Sequence, residues 1–274
     1  MKLLAILHQR YRYSAILLKQ LVITDFKLRY KGSALGYFWT LLKPLSLFAV
    51  MYVIFIKFLR FGGDEPHAAV SLLLGIVLWN YFVEVTTNGM SAIVGRGDLM
   101  RKLSFPRYVI VLAGSFSAAI NLAINLVIVS IFAMINGVVF GLGALWIIPI
   151  FVELFVFSLA TAFLLAALYV KLRDVNYIWE LLLQVGFYAT PIIYSLAYLL
   201  KHAPIEVVRV MMLNPLAQII QDARHSLITD QTMTTWGLFS GSWYGFIPIV
   251  FIILFMVLAG TYFRNASPSF AEEV

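Results

Sequence analysis

TDFKLRYKGSALGYFWTLLKP, residues 24–44, carries a basic amphipathic segment through two glycines and an aromatic cluster directly into a strongly apolar run. That junction describes a helix lying along a membrane surface before the chain turns into the bilayer. Ahead of it Gln20, Thr24, Lys27 and Lys31 recur at spacings of four, three and four, one polar stripe on a 3.6-residue helix, with Leu17, Leu21 and Leu28 on the adjacent apolar side. The stripe reads either as a positive anchor that orients the first span or as a surface on which a partner docks.

The rest of the chain agrees with a bilayer as its solvent. Of its 274 residues 62% are hydrophobic and only 12% charged, against roughly 25% charged in a soluble domain. The net charge of +7 is not a nucleic-acid footprint, because Lys and Arg gather in particular connections between apolar runs. No cysteine is present, which excludes a disulfide framework, a thiol nucleophile and a cysteine metal site. Arg10, Arg12 and Lys19 interrupt the N-terminal segment, so it does not read as a cleavable signal.

Six stretches are long enough to cross the roughly 30 Å hydrocarbon core as helices: Trp39–Leu59, Val70–Ile93, Tyr108–Ile135, Leu145–Val170, Val175–Leu200 and Phe246–Phe263. With the N-terminus in the cytosol, fifteen of the twenty Lys and Arg fall on the cytoplasmic side, which sets both termini inside. The expected fold is an all-α integral membrane protein of one domain. Residues 1–38 form a cytoplasmic interfacial segment and 39–263 a six-span bundle, with 201–245 an outer re-entrant segment between the last two spans. Within that outer segment Val207–Leu213 and Leu216–Ile220 are apolar but too short to cross, which predicts a helical hairpin. Asn214 suits the cap of its second helix and Pro215 the first helical position.

The second cytoplasmic connection, GRGDLMRKLSFPR at residues 95–107, reads as a short helix capped by Asp98 and stopped before Pro106, with Leu99, Met100 and Leu103 on one face. It is either a plug for a groove on a cytosolic partner or an ordinary basic loop between two spans.

Several chemistries have no residues to carry them. The chain contains no Gly-Lys pair, hence no phosphate-binding loop, and it does not hydrolyse ATP alone. His8, His67, His202 and His225 have no ligand spacing, which argues against a metal site. Glu84, Glu153 and Glu180 lie in expected spans but far apart in sequence, unlike a proton relay. Tyr37, Phe38 and Trp39, with Phe187, Tyr188 and Tyr194, offer flat faces suited to stacking on sugars; the same rings also suit an interfacial belt and core packing.

Taken in order, these motifs resemble the permease subunits of ABC exporters for cell-surface polysaccharides, the O-antigen, capsule and wall teichoic acid exporters. The resemblance rests on residues 25–39 with Pro44, on residues 99–107 ending in Phe105-Pro106-Arg107, on Arg173-Asp174-Val175, on Thr190-Pro191-Ile192-Ile193-Tyr194, and on Asn214-Pro215 followed by Arg224. Where the family usually has serine before the proline, this chain has Thr190. The resemblance implies a homodimeric permease of the cytoplasmic (inner) membrane. It would pair with two separate ATP-binding subunits that hold ATP and Mg, and would move a lipid-linked polysaccharide outward. It further implies that Asp25, Lys27, Arg29, Lys31, Asp98, Leu99, Met100, Arg101, Leu103 and Phe105 contact the ATP-binding subunit. Tyr37, Trp39, Phe187, Tyr188 and Tyr194 would line the conduit, and the hairpin with Asn214, Pro215 and Arg224 would form an outer lid. The rivals are a drug or small-lipid ABC exporter of the same architecture and a membrane-embedded transferase acting on lipid-linked sugars; the latter needs converging acids that the sequence does not display.

Overall fold

A computed structural model describes residues 2–29, 32–33, 36, 38–61, 65–97 and 105–273, and every regular element among them is helical. In chain order the described α-helices are α1 (Lys2–Arg29), α2 (Phe38–Met51), α3 (Ala68–Ala92), α4 (Tyr108–Ile135), α5 (Ile147–Lys171), α6 (Val175–Ala189), α7 (Leu196–His202), α8 (Ile205–Met212), α9 (Pro215–Leu227), α10 (Thr235–Leu238), α11 (Ile247–Ala266) and α12 (Phe270–Glu273). Five helical runs, Phe38–Phe58, Ala68–Ala92, Tyr108–Ile135, Leu142–Lys171 and Trp243–Ser269, are long and apolar enough to cross a membrane. Each overlaps a stretch read from the sequence. The first of them ends in a π-helical turn, Tyr52–Phe58, where Leu59 N–H bonds Ile54 C=O at 2.9 Å, a wider winding that hydropathy does not report.

The remaining expected span differs. Val175–Leu200 is not one helix: α6 stops after 15 residues at Ala189, about 22 Å of helix at 1.5 Å per residue. Pro191 supplies the reason, since its ring removes an N–H and drives the preceding residue out of helical space; Thr190 sits at φ −92°, ψ 140°. Ser195 then caps α7, its hydroxyl accepting from Tyr198 N–H at 3.1 Å.

α3 is the central post. Val70 through Trp79 are buried without interruption, and α4, α5 and α6 pack around it. Small residues permit the close approach on the α5 side. A Cβ placed on Gly89 would lie 2.5 Å from the Ala162 methyl, so the two backbones meet where any larger residue would part them. α6 runs antiparallel to α3. Trp179 Nε1 donates to Thr86 Oγ1 at 3.2 Å, Phe187 meets Trp79 edge-on at 5.8 Å, and Ile192 reaches the level of Gly75.

α1 rests along α4, with Leu17, Leu21, Val22 and Phe26 half-buried and Gln20, Thr24 and Lys27 exposed. The polar stripe therefore faces outward as its spacing predicts, although Leu28 is exposed as well. At the far end Phe270 is buried against Phe263, and Arg107 donates to the Ser267 carbonyl, so the chain end is pinned beside the start of α4.

Candidate functional site

Two motifs more than twenty residues apart in sequence form one joint. Breaking a helix at Thr190 frees carbonyl groups that an apolar setting cannot solvate, so they need partners from elsewhere in the protein. Arg224 of α9 supplies them: Nη1 donates to Pro191 C=O and Nη2 to Ile192 C=O, both at 2.7 Å, while Nε donates to Ser71 C=O on α3 at 3.3 Å. The side chain is only 2% exposed. A guanidinium suits the place because its planar fork presents several donors in fixed directions. Gly75 leaves room for it, since a Cβ there would stand 3.2 Å from Nη2. Asn214 closes the joint, its Oδ1 capping α9 at Leu216 N–H (3.0 Å) and its Nδ2 donating to Thr190 Oγ1 at 3.3 Å. Threonine in place of serine keeps the hydroxyl that this contact uses. Ser71 and Gly75, the α3 side of the joint, carried no signal in the sequence beyond being small residues in a span.

The expected aromatic contacts separate. Tyr188 is 60% exposed and Trp39 also faces outward. Tyr194 is half-buried and donates its hydroxyl to Tyr188 C=O at 2.8 Å, which steadies the exposed ring. Phe187 is a correction. At 9% exposure and edge-on to Trp79 it is a core residue, because α6 turns that position toward α3. Tyr37 lies outside the described residues.

Beside Trp39 a cleft of about 610 Å³ opens between α2, α3 and α4. Asn80, Glu84 and Asn88, spaced by four on α3, face Asn121 and Asn125, also four apart on α4, with Lys43 at the rim. Asn121 Nδ2 donates to Glu84 Oε1 at 2.7 Å and Asn125 Nδ2 to Asn121 C=O at 2.9 Å. The buried Tyr81 hydroxyl and Asn121 Oδ1, both on the cleft wall, have no hydrogen-bond partner among the described residues. One is a donor and acceptor, the other an acceptor, which is the pairing that hydroxyl groups complement. Sequence reading singled out Glu84 but not its asparagines; their common spacing of four was the available signal.

On the side of the α1 stripe, Asp25 pairs with Arg96 at 2.5 Å, tying α1 to the connection after α3. Lys27 is exposed, and Phe105 is partly buried against the core. Arg29 ends α1. Lys31, Asp98, Leu99, Met100, Arg101 and Leu103 lie outside the described residues. Glu180 is exposed on α6 and accepts from Asn176 Nδ2 at 3.1 Å.

Residues 16–228 match the family described as ABC-2 type transporter, from the middle of α1 through the Arg224 joint to the end of α9. This chain belongs to that family. Relatives of this ABC-2 chain include an O-antigen export system permease protein RfbA of Klebsiella pneumoniae, 27% identical over 251 residues that cover 90% of this chain and 91% of the relative. The protein of the same name from Myxococcus xanthus is 29% identical over 199 residues, 71% of this chain and 74% of the relative. Both the joint and the Trp39 cleft fall within the ABC-2 match.

Proposed function

We propose that this chain is the membrane subunit of an ATP-driven exporter of a lipid-linked, O-antigen-like polysaccharide. Two copies pair with two separate subunits that bind ATP with Mg and hydrolyse it, as in the transporter class to which the chain belongs. The protein sits in the cytoplasmic membrane with both termini inside, a reading supported by the placement of Lys and Arg. α6 makes the fifth of six crossings: it starts four residues after the end of α5 and runs antiparallel to α3 toward Ser71, so its shortness is made up by the Thr190–Tyr194 segment. Residues 201–245 then form a hairpin on the outer face.

The observation that carries the polysaccharide reading is the Trp39 cleft. Amides, a carboxylate and an aromatic ring at membrane depth suit a hydroxyl-rich ligand, whereas a drug or simple-lipid exporter would favour apolar walls. Polymer passes along the α2 and α6 faces at the interface of two copies, touching Tyr37, Trp39, Tyr188 and Tyr194. On the cytosolic side the α1 stripe and residues 98–105 receive the ATP-binding subunit, and the Asp25–Arg96 pair ties α1 to the connection after α3.

The test is reconstitution with the ATP-binding subunit in proteoliposomes. Lipid-linked polymer is expected to stimulate ATP hydrolysis and to become accessible to an external lectin. Trp39→Ala should lower polymer transfer by about tenfold, the scale of a lost stacking contact, with basal hydrolysis kept. Stimulation by the bare lipid carrier but not by its glycosylated form would replace this reading with a small-lipid exporter.

A further inference from the structure

A second and larger cavity, about 1060 Å³, lies between the α4–α5 turn, α5, α9 and the start of α11. Its polar wall holds Glu153 of α5, Gln218, Asp222 and His225 of α9, and Asp230 and Thr235 beyond it, with no Lys or Arg among the described lining residues. Gln218 is 3% exposed and its Nε2 donates to both carboxylates, to Asp222 Oδ2 at 2.7 Å and Glu153 Oε2 at 3.3 Å. His225 Nδ1 is 2.6 Å from Thr232 C=O, and Asp222 Oδ1 accepts from Thr235 N–H at 3.4 Å. Three buried oxygens on this wall nevertheless lack a partner among the described residues: Glu153 Oε1, Gln218 Oε1 and Thr235 Oγ1, the last on a residue 1% exposed. A carboxylate and an amide oxygen can only accept, so the wall calls for several donors on one positively charged group.

An organic ammonium fits better than a metal ion. The Gln218 amide nitrogen already stands between the two carboxylates where a shared metal would sit, and no group of three His, Asp or Glu among the described residues is arranged to hold one. The opposite wall is apolar, with Pro149, Ile150, Phe246 and Ile249, and the rim carries exposed Val139 and Trp146. Trp243 and Tyr244 stand exposed just before α11, and such rings mark the headgroup level. We propose that this cavity binds the primary-ammonium headgroup of a phosphatidylethanolamine from the outer leaflet. The polar wall takes the ammonium, and the acyl chains run down the exposed faces of α5 and α11. This site does not depend on which substrate is exported.

The experiment is native mass spectrometry of the delipidated full-length protein incubated with dioleoyl lipids that carry zero, one, two or three N-methyl groups at constant charge. Retention should fall with each methyl, by about tenfold overall as the charge-assisted hydrogen bonds are lost. Asp222→Asn and Glu153→Gln should each weaken retention of the unmethylated lipid by more than that of the trimethylated lipid, which loses only the coulombic part. Equal retention of the unmethylated and trimethylated lipids overturns the proposal, as does binding of free ethanolamine with equal affinity or loss of the adduct on chelation. Unaltered retention in both variants overturns it too. The methyl series uses the unmutated chain, so a variant that misfolds leaves the decision intact.

Discussion

The two flanks of α9 hold polar clusters of opposite character. Arg224 faces the broken end of α6 and α3 with its donors matched to three carbonyls. Gln218 and Asp222, six and two residues before it, face a cavity in which three buried oxygens are unmatched among the described residues. A buried polar group is tolerated when its partners are complete and costly when they are not. The cluster in which each guanidinium nitrogen has an acceptor is therefore scaffold, although the neighbouring Ser71 hydroxyl has no partner among the described residues, and the one with orphaned carboxylate and amide oxygens is where a missing partner belongs. The Trp39 cleft falls on the incomplete side, with Tyr81 and Asn121 unmatched.

The strongest way to break that distinction is at Arg224. Arg224→Met leaves the Pro191 and Ile192 carbonyls without donors in a buried setting and removes the second donor from Ser71 C=O, an expected loss of about 3 to 5 kcal/mol. Lysine should not rescue it, because one ammonium cannot reproduce the bidentate fork. Thermal unfolding in detergent and the yield of monodisperse protein read this out. A variant as stable as the parent would mean that water can replace the guanidinium and that the joint is not structural. A milder loss belongs to Asn214→Ala, which removes the α9 cap and the Thr190 contact. It should cost about 1 kcal/mol, or roughly 3 °C in midpoint.

What the sequence made legible follows the same division. Long apolar runs and basic connections place five of the membrane-crossing helices because both signals are local sums over many residues. Asn214 and Pro215 were readable as a helix start because capping chemistry is carried by adjacent residues. The break at Thr190 was readable in principle from Pro191, but hydropathy runs straight through Thr190 to Leu200 and outweighed one proline. Arg224 is visible in the sequence as a charged residue in an outer loop. Its role is not, because its partners are backbone carbonyls on two other elements and leave no side-chain signature. Phe187 shows the converse: adjacent to Tyr188 and chemically alike, it faces α3 because successive helix positions turn by about 100°.

The smallest expected effect sharpens the comparison most, because its sign differs from the others. Burial pushes the Asp222 carboxyl above the usual carboxylate range, against the opposing pull of the Gln218 amide, the Thr235 N–H and nearby His225. A carboxyl whose pKa is raised on folding binds its proton more tightly in the native state. Its contribution to stability is present in full below about pH 4, the unfolded value, and is lost as pH rises through the raised folded value. Asp222 should therefore make the delipidated protein lose stability as pH rises from about 4. Asp222→Asn keeps an oxygen for Gln218 and removes the charge, so at pH 7 its midpoint should match or exceed the parent's, and its fall with rising pH should be shallower than the parent's. Adding phosphatidylethanolamine should reverse the order, raising the midpoint of the parent more than that of the variant, since the variant has lost one of the two carboxylates on the wall. If Asp222→Asn instead unfolds the delipidated protein as readily as Arg224→Met does, both flanks of α9 are scaffold and the contrast between them fails.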